Sequence, residues 1–123
     1  MEFIKTNRAP AAIGPYSQGT IINKTIFVSG QLPINMETGN LETDVKKATR
    51  ASLSNVLAIV ESGGSSLEKI GKVNVFVKNI EDFDVINKEY DEFFKGHKPA
   101  RALVEVARLP KDAVIEIEAI AEV

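Results

Sequence analysis

Arg101, Glu116 and Glu118 are the charged residues whose setting could do chemistry. Arg101 follows Lys98-Pro99-Ala100 at the start of an apolar stretch, and the two glutamates alternate with Ile115, Ile117 and Ala119. A guanidinium in such a half-buried place suits a carboxylate, because its planar fork donates two parallel hydrogen bonds. Other chemistries are scarce. The chain has no cysteine, which removes disulfides, thiolate zinc sites, iron–sulfur clusters and cysteine nucleophiles. His97 is the only histidine, and its loop, Gly96-His97-Lys98-Pro99, predicts a solvated residue rather than a catalytic base. No Asp/Glu/His spacing suggests a metal site. Gly71-Lys72 is not a phosphate loop, since Ser66 stands where the first glycine is needed and a strand follows. Asn23-Lys24-Thr25 fits a glycosylation acceptor only as a short pattern that has no meaning without secretion.

The elements that must position these groups follow from periodicity. Glu2–Lys5 reads as a short edge strand, and residues 19–22 and 25–29 as a hairpin turning at Asn23-Lys24. Two prolines and a glycine between Ala9 and Ser17 predict a loop of fixed path. Residues 43–61 carry Val45, Ala48, Leu53, Val56, Leu57 and Val60 at helical spacing, with Thr43 as N-cap and Gly63-Gly64 beyond the end. Ser65 and Glu68 have the spacing of a capping box before a strand at 72–77. A second helix, 82–94, aligns Phe83, Ile86, Tyr90 and Phe93, and strands at 100–106 and 113–121 follow.

The order ββαβαββ predicts an α/β (α+β) domain over residues 1–123, with a mixed sheet of about six strands. Right-handed crossovers place both helices on one face. The other face then lacks cover, although Val114 and Ile120 are apolar there, so an oligomer with a site at the subunit boundary is expected. If the last two strands form a hairpin on Pro110-Lys111, Arg101 opposes Ile120 and shares a face with both glutamates. Glu116 then lies about 13 Å along the strand from that position. This register predicts no Arg101–Glu116 pair within one chain, so a neighbouring subunit must supply one of them to any shared ligand.

The 123 residues carry 15 basic and 17 acidic side chains, a net charge of −2. A single core is feasible at that length. Apart from Lys46, Lys47 and Arg50, which ordinary solvation on a helix explains, the basic residues are scattered, a poor footprint for nucleic acid. The start has no basic and apolar leader, and the longest strongly apolar run is Val56–Val60, which predicts a cytoplasmic protein without a membrane partner.

Longer motifs carry a family resemblance. Ala9-Pro10-Ala11-Ala12-Ile13-Gly14-Pro15-Tyr16-Ser17-Gln18-Gly19, Val28-Ser29-Gly30-Gln31-Leu32-Pro33, Pro99-Ala100-Arg101 and the stretch from Val104 to Glu118 resemble the RidA (YjgF) family over essentially the whole chain. The resemblance implies a chorismate-mutase-like fold and a homotrimer whose sheets form an inner barrel, with clefts between subunits. It implies hydrolysis of small 2-imino acids, and their enamine tautomers, to 2-oxo acids and ammonia, with no cofactor. Arg101 matches the arginine that binds the substrate carboxylate and Glu116 the glutamate that orients the attacking water. Tyr16, Ser29, Gly30 and Asn87 fall on substrate-binding positions. The chain departs at Ala102-Leu103, where the family usually has Ser-Cys, so Leu103 implies an altered cleft and a different side-chain preference. Two other readings stand beside this one. A non-catalytic trimer would bind a metabolite or a protein, and a ribonuclease is disfavoured by the acidic balance and the lack of a histidine pair.

Overall fold

The computed structural model describes all 123 residues. Its strands are β1 (Glu2–Ile4), β2 (Gly19–Ile22), β3 (Thr25–Gln31), β4 (Ile70–Val77), β5 (Ala100–Glu105) and β6 (Ile115–Glu122); its helices are α1 (Val45–Ser62) and α2 (Phe83–Phe94). They form one mixed six-stranded sheet in the order β1-β2-β3-β6-β4-β5. The β2–β3 hairpin turns where expected. Asn23 and Lys24 both take left-handed backbone, φ 48 and 63, the two-residue turn whose twist matches the flanking strands.

The C-terminal half corrects the sequence reading. β5 and β6 do not form a hairpin; β5 pairs in parallel with β4, and β6 pairs antiparallel with both β3 and β4. After β5 the chain crosses the end of β4, where Val106 N–H donates to Val77 O at 3.0 Å and Lys78 N–H donates to Val114 O at 3.0 Å. The turn at Pro110–Asp112, with Lys111 and Asp112 at φ 57 and 54, then sends β6 back along β4's other edge. Sequence proximity favours a hairpin, but a central slot buries Ile115, Ile117, Ala119 and Ala121, which an edge strand would leave half wet. In the observed register Arg101 lies opposite Val73 and Glu116 opposite Phe76. Val73 and Phe76 are three residues apart on one strand, so Arg101 and Glu116 stand on opposite faces of the sheet, not on the shared face expected.

Both helices cover one face. α1 buries Ala48, Leu53, Val56, Ile59 and Val60 against β3 and β6, and α2 buries Ile86, Tyr90, Phe93 and Phe94. The N-cap of α1 is Asp44 rather than Thr43: the Asp44 carboxylate accepts from Lys47 N–H at 3.0 Å. The expected capping box is absent. Ser66 makes no cap bond, and the Ser65 hydroxyl instead donates to Glu122 O. α2 ends at Lys95, whose left-handed φ of 50 is followed by Gly96 at φ 94.

Arg50 is exposed, as solvation on a helix predicts, but it also has a structural partner. It ties the helices together, with Nε 2.6 Å from Glu89 Oε1 and its guanidinium 5.2 Å from the Phe93 ring centre. Glu89 is 4% exposed and its other oxygen has no partner. Arg50→Met should therefore leave a buried carboxylate uncompensated and cost about 2 kcal/mol, less than a fully buried pair because Arg50 is partly in water. Urea unfolding measures this. Restoration by Glu89→Leu in the same chain is the expected second result, and an unmoved midpoint in the single variant would refute it.

The opposite face of the sheet has no helix on it. Phe27 (42% exposed), Ile120 and Val104 (46%) stand there with half-buried Phe76. No helix of the chain is long and apolar enough to cross a membrane.

Candidate functional site

The predicted site residues fall into two groups. The first surrounds Arg101 on the helix-covered side at the β5 edge. Phe83, Asn87 and Tyr90 are spaced i, i+4 and i+7 on α2 and so share one helix face. All three meet the same guanidinium. Arg101 Nη1 donates to Asn87 Oδ1 at 2.6 Å, and its central carbon lies 4.8 Å from the Tyr90 ring centre and 5.9 Å from that of Phe83. Asn87 is the only hydrogen-bond partner of the Arg101 side chain, so most of its donors remain free. The Tyr90 hydroxyl is buried without a partner, and burial pushes the phenol up to about 12 against the opposing pull of Arg101. It is therefore a neutral ring at physiological pH, and the guanidinium is held by one amide oxygen and two aromatic faces. Leu103, on the same side of β5, packs partly buried against the core.

The second group gathers where β3 departs from regular pairing. Val28 opposes Ala119 and Gln31 opposes Ile117, so Ser29 and Gly30 together face the single residue Glu118 across a bulge. Ser29 is tied to the preceding loop: its N–H donates to Gln18 O at 2.9 Å and its hydroxyl to Ser17 O at 2.5 Å. Gln18 fixes that loop in turn. Its buried amide accepts from Thr6 N–H at 2.7 Å and donates to Thr6 O at 3.0 Å and Pro10 O at 2.8 Å. Tyr16, 55% exposed, projects from this loop beside a depression of about 950 Å³ whose wall includes Phe3, Ala12 and Met36. Gly30 lies under Glu116: a methyl group there would sit 2.5 Å from Glu116 Oε2. Burial, and then the charge of Glu118, raises the Glu116 carboxyl above the usual carboxylate range. Asn74 Nδ2 donates to Glu118 Oε2 at 3.0 Å.

The structure thus joins Arg101 to Asn87, Gly30 to Glu116, and Ser29 to the Tyr16 loop, while the sheet separates Arg101 from Glu116. His97 is half-buried rather than free in solvent. Its ring nitrogen Nε2 donates to Ile70 O at 2.7 Å and the ring faces Phe94, pinning its loop to the start of β4. Sequence reasoning missed Tyr90 and Phe83, which it assigned to the core, and Asn74. No three histidine, aspartate or glutamate side chains converge as a metal site would require.

This is the α+β architecture of a set of solved proteins. The YjgF gene product of Escherichia coli matches with a TM-score of 0.95 at 51% identity, over 99% of this chain and 98% of that one. The E. coli protein TdcF, solved with bound serine, matches with a TM-score of 0.95 at 47% identity, over 100% and 99%. The sequence pattern of the family described as Endoribonuclease L-PSP matches residues 6–123. The 2-iminobutanoate/2-iminopropanoate deaminase of E. coli K12 is 53% identical over 121 residues, 96% of this chain and 94% of that protein. The chain belongs to the RidA/YjgF family.

Proposed function

We propose that this protein is a 2-iminobutanoate/2-iminopropanoate deaminase, an enzyme that hydrolyses reactive imines and their enamine tautomers to 2-oxo acids and ammonia. The 53% identity to a deaminase over nearly the full length supports the activity. The geometric observation that supports the residue roles is Arg101, held on one side by Asn87 and the aromatic rings while its remaining donors are free. They suit the substrate carboxylate, which the two N–H groups of a fork can hold in one orientation. Water then attacks the imine carbon. A C–O bond forms as the C=N electron pair moves to nitrogen and the water gives one proton to Glu116. Glu116 returns that proton to the nitrogen, the new hydroxyl gives its remaining proton to Glu116 as the C=O bond forms and the C–N bond breaks, ammonia leaves, and solvent takes the proton from Glu116. A protonated imine is already a good electrophile, so positioning and one proton acceptor suffice without a cofactor.

Arg101 and Glu116 cannot meet through the sheet that separates them, so one site draws them from two copies of the chain. A homotrimer supplies this by burying the open apolar face against its neighbours. Tyr16, Ser29 and Gly30 line the Glu116 side of such a cleft and Asn87 the Arg101 side. Leu103 sets the side-chain range from beside Arg101.

The test is to generate 2-iminobutanoate and 2-iminopropanoate in situ from amino acids and follow 2-oxo acid formation with purified protein. Release faster than in buffer, with an added RNA left intact, is the expected result. No acceleration by a trimeric sample would overturn the reading.

A further inference from the structure

Two carboxylates stand two residues apart on the open face of β6, about 7 Å apart along the strand. Only one of them has a hydrogen-bond donor. Asn74 lies directly across from Glu118 and its amide donates to Glu118 Oε2 at 3.0 Å. Across from Glu116 stands Phe76, which offers no donor, and on the β3 side Gly30 closes against the Glu116 carboxylate.

The charged groups on this face reinforce the difference. On β4, Lys72 lies across from Ile120, one pleat step beyond Asn74 and so nearer Glu118 than Glu116. Lys78 follows the other end of β4, but its ammonium is held 3.0 Å from Asp112. β5 contributes Ala100, Ala102 and Val104, and β3 contributes Thr25, Phe27 and Ser29, none of them charged. Glu122 lies at the far end of β6, across from Thr25. A donor aimed at a carboxylate favours its ionised form, and a fixed anion nearby disfavours a second one. Of two nearby carboxyls, the one without a donor is therefore the better holder of a proton.

We propose that Asn74 and Glu118 together assign the proton of this face to Glu116, the carboxyl that gains and loses a proton in the reaction. Glu118 is a positioning residue that touches no reacting atom. The inference deepens the deaminase reading and rests on its assignment of Glu116 as the acceptor of the water proton. Within one chain burial and Glu118 raise the Glu116 carboxyl in the same direction, against the opposite pull of the Arg101 that the proposed site brings from a second copy. The arrangement gives Glu116 a stronger hold on the proton it must later return to the leaving nitrogen.

Carboxyl-carbon NMR of protein labelled in glutamate, titrated with pH, tests this in wild type, Glu118→Gln and Asn74→Ala, beside the pH profile of kcat. In wild type Glu116 should protonate at higher pH than Glu118. Glu118→Gln should lower the Glu116 midpoint and carry the acidic limb of the kcat profile to lower pH with it, while Asn74→Ala should draw the two midpoints together. If Glu118→Gln fails to fold, Asn74→Ala carries the same test. An unmoved Glu116 midpoint in the folded variants, or Glu118 protonating first in wild type, would overturn the proposal. A shifted midpoint with an unmoved kcat profile would support the proton assignment and instead overturn Glu116 as the acceptor in the reaction.

Discussion

Arg101→Ala should lower kcat/KM for 2-iminobutanoate by about 150- to 700-fold while leaving the unfolding midpoint close to wild type. The size follows from two charge-assisted hydrogen bonds to the substrate carboxylate, each worth about 1.5–2 kcal/mol, with tenfold in rate for every 1.4 kcal/mol. Arg101→Lys should recover little. An ammonium can place a charge near the carboxylate, but it cannot reproduce the fork, nor lie flat 4.8 Å from the Tyr90 ring centre. Asn87→Ala should cost less, about tenfold, because the guanidinium keeps its aromatic supports and loses one anchor. Steady-state hydrolysis with a matched imine that lacks the carboxylate supplies the control, since Arg101→Ala should barely affect it. A loss below threefold on the 2-imino acid would mean that Arg101 is not the carboxylate clamp.

Gly30→Ala should lower kcat by about 100-fold with little change in KM. Its new methyl would lie 2.5 Å from Glu116 Oε2 and 2.9 Å from Cδ, closer than real side chains approach. The atoms in the way are the end of a side chain rather than backbone, so Glu116 can swing aside and the fold survives. Catalysis takes the loss, because a displacement of about 1 Å at a reacting group costs on the order of 100-fold. Arg101 belongs to the other face and keeps its geometry, so binding of the carboxylate should persist. Thermal unfolding beside steady-state kinetics separates the two effects. A kcat within threefold of wild type would show that the Glu116 position is not what Gly30 protects.

How far the sequence could be read depended on the range of the interaction. Local patterns were legible: the Asn23-Lys24 turn, the apolar stripes of both helices, and the uncovered sheet face. Pairing was not. β6 is apolar enough to suit a central strand or a hairpin partner of β5, and only the competition between β3, β4 and β5 for its edges decides, which no local pattern contains. That error put Arg101 on the wrong face, although either arrangement keeps Arg101 and Glu116 apart within one chain. Asn74 could not be matched to Glu118 without the correct strand order. Gly30 inside a strand was a readable sign of a bulge or a close approach, but the sequence could not say that Glu116 was the neighbour. The partners of His97 and Arg50 were hidden for a related reason: a polar residue in a loop or on a helix surface shows no sign in sequence of the distant group, Ile70 O or Glu89, that is brought beside it.

The placement of β6 between β3 and β4 also bears on how the chain assembles. β1–β3 and β4–β5 share no ladder; the final strand in sequence is the seam that turns two partial sheets into one. Until it docks, β3 and β4 each expose an edge able to pair with a foreign strand. During synthesis the core cannot close before residues 115–122 leave the ribosome, so the facing edges of β3 and β4 stay open until then. Trimming should be unequal for the same reason: loss of β1 removes an edge, whereas loss of β6 parts the sheet.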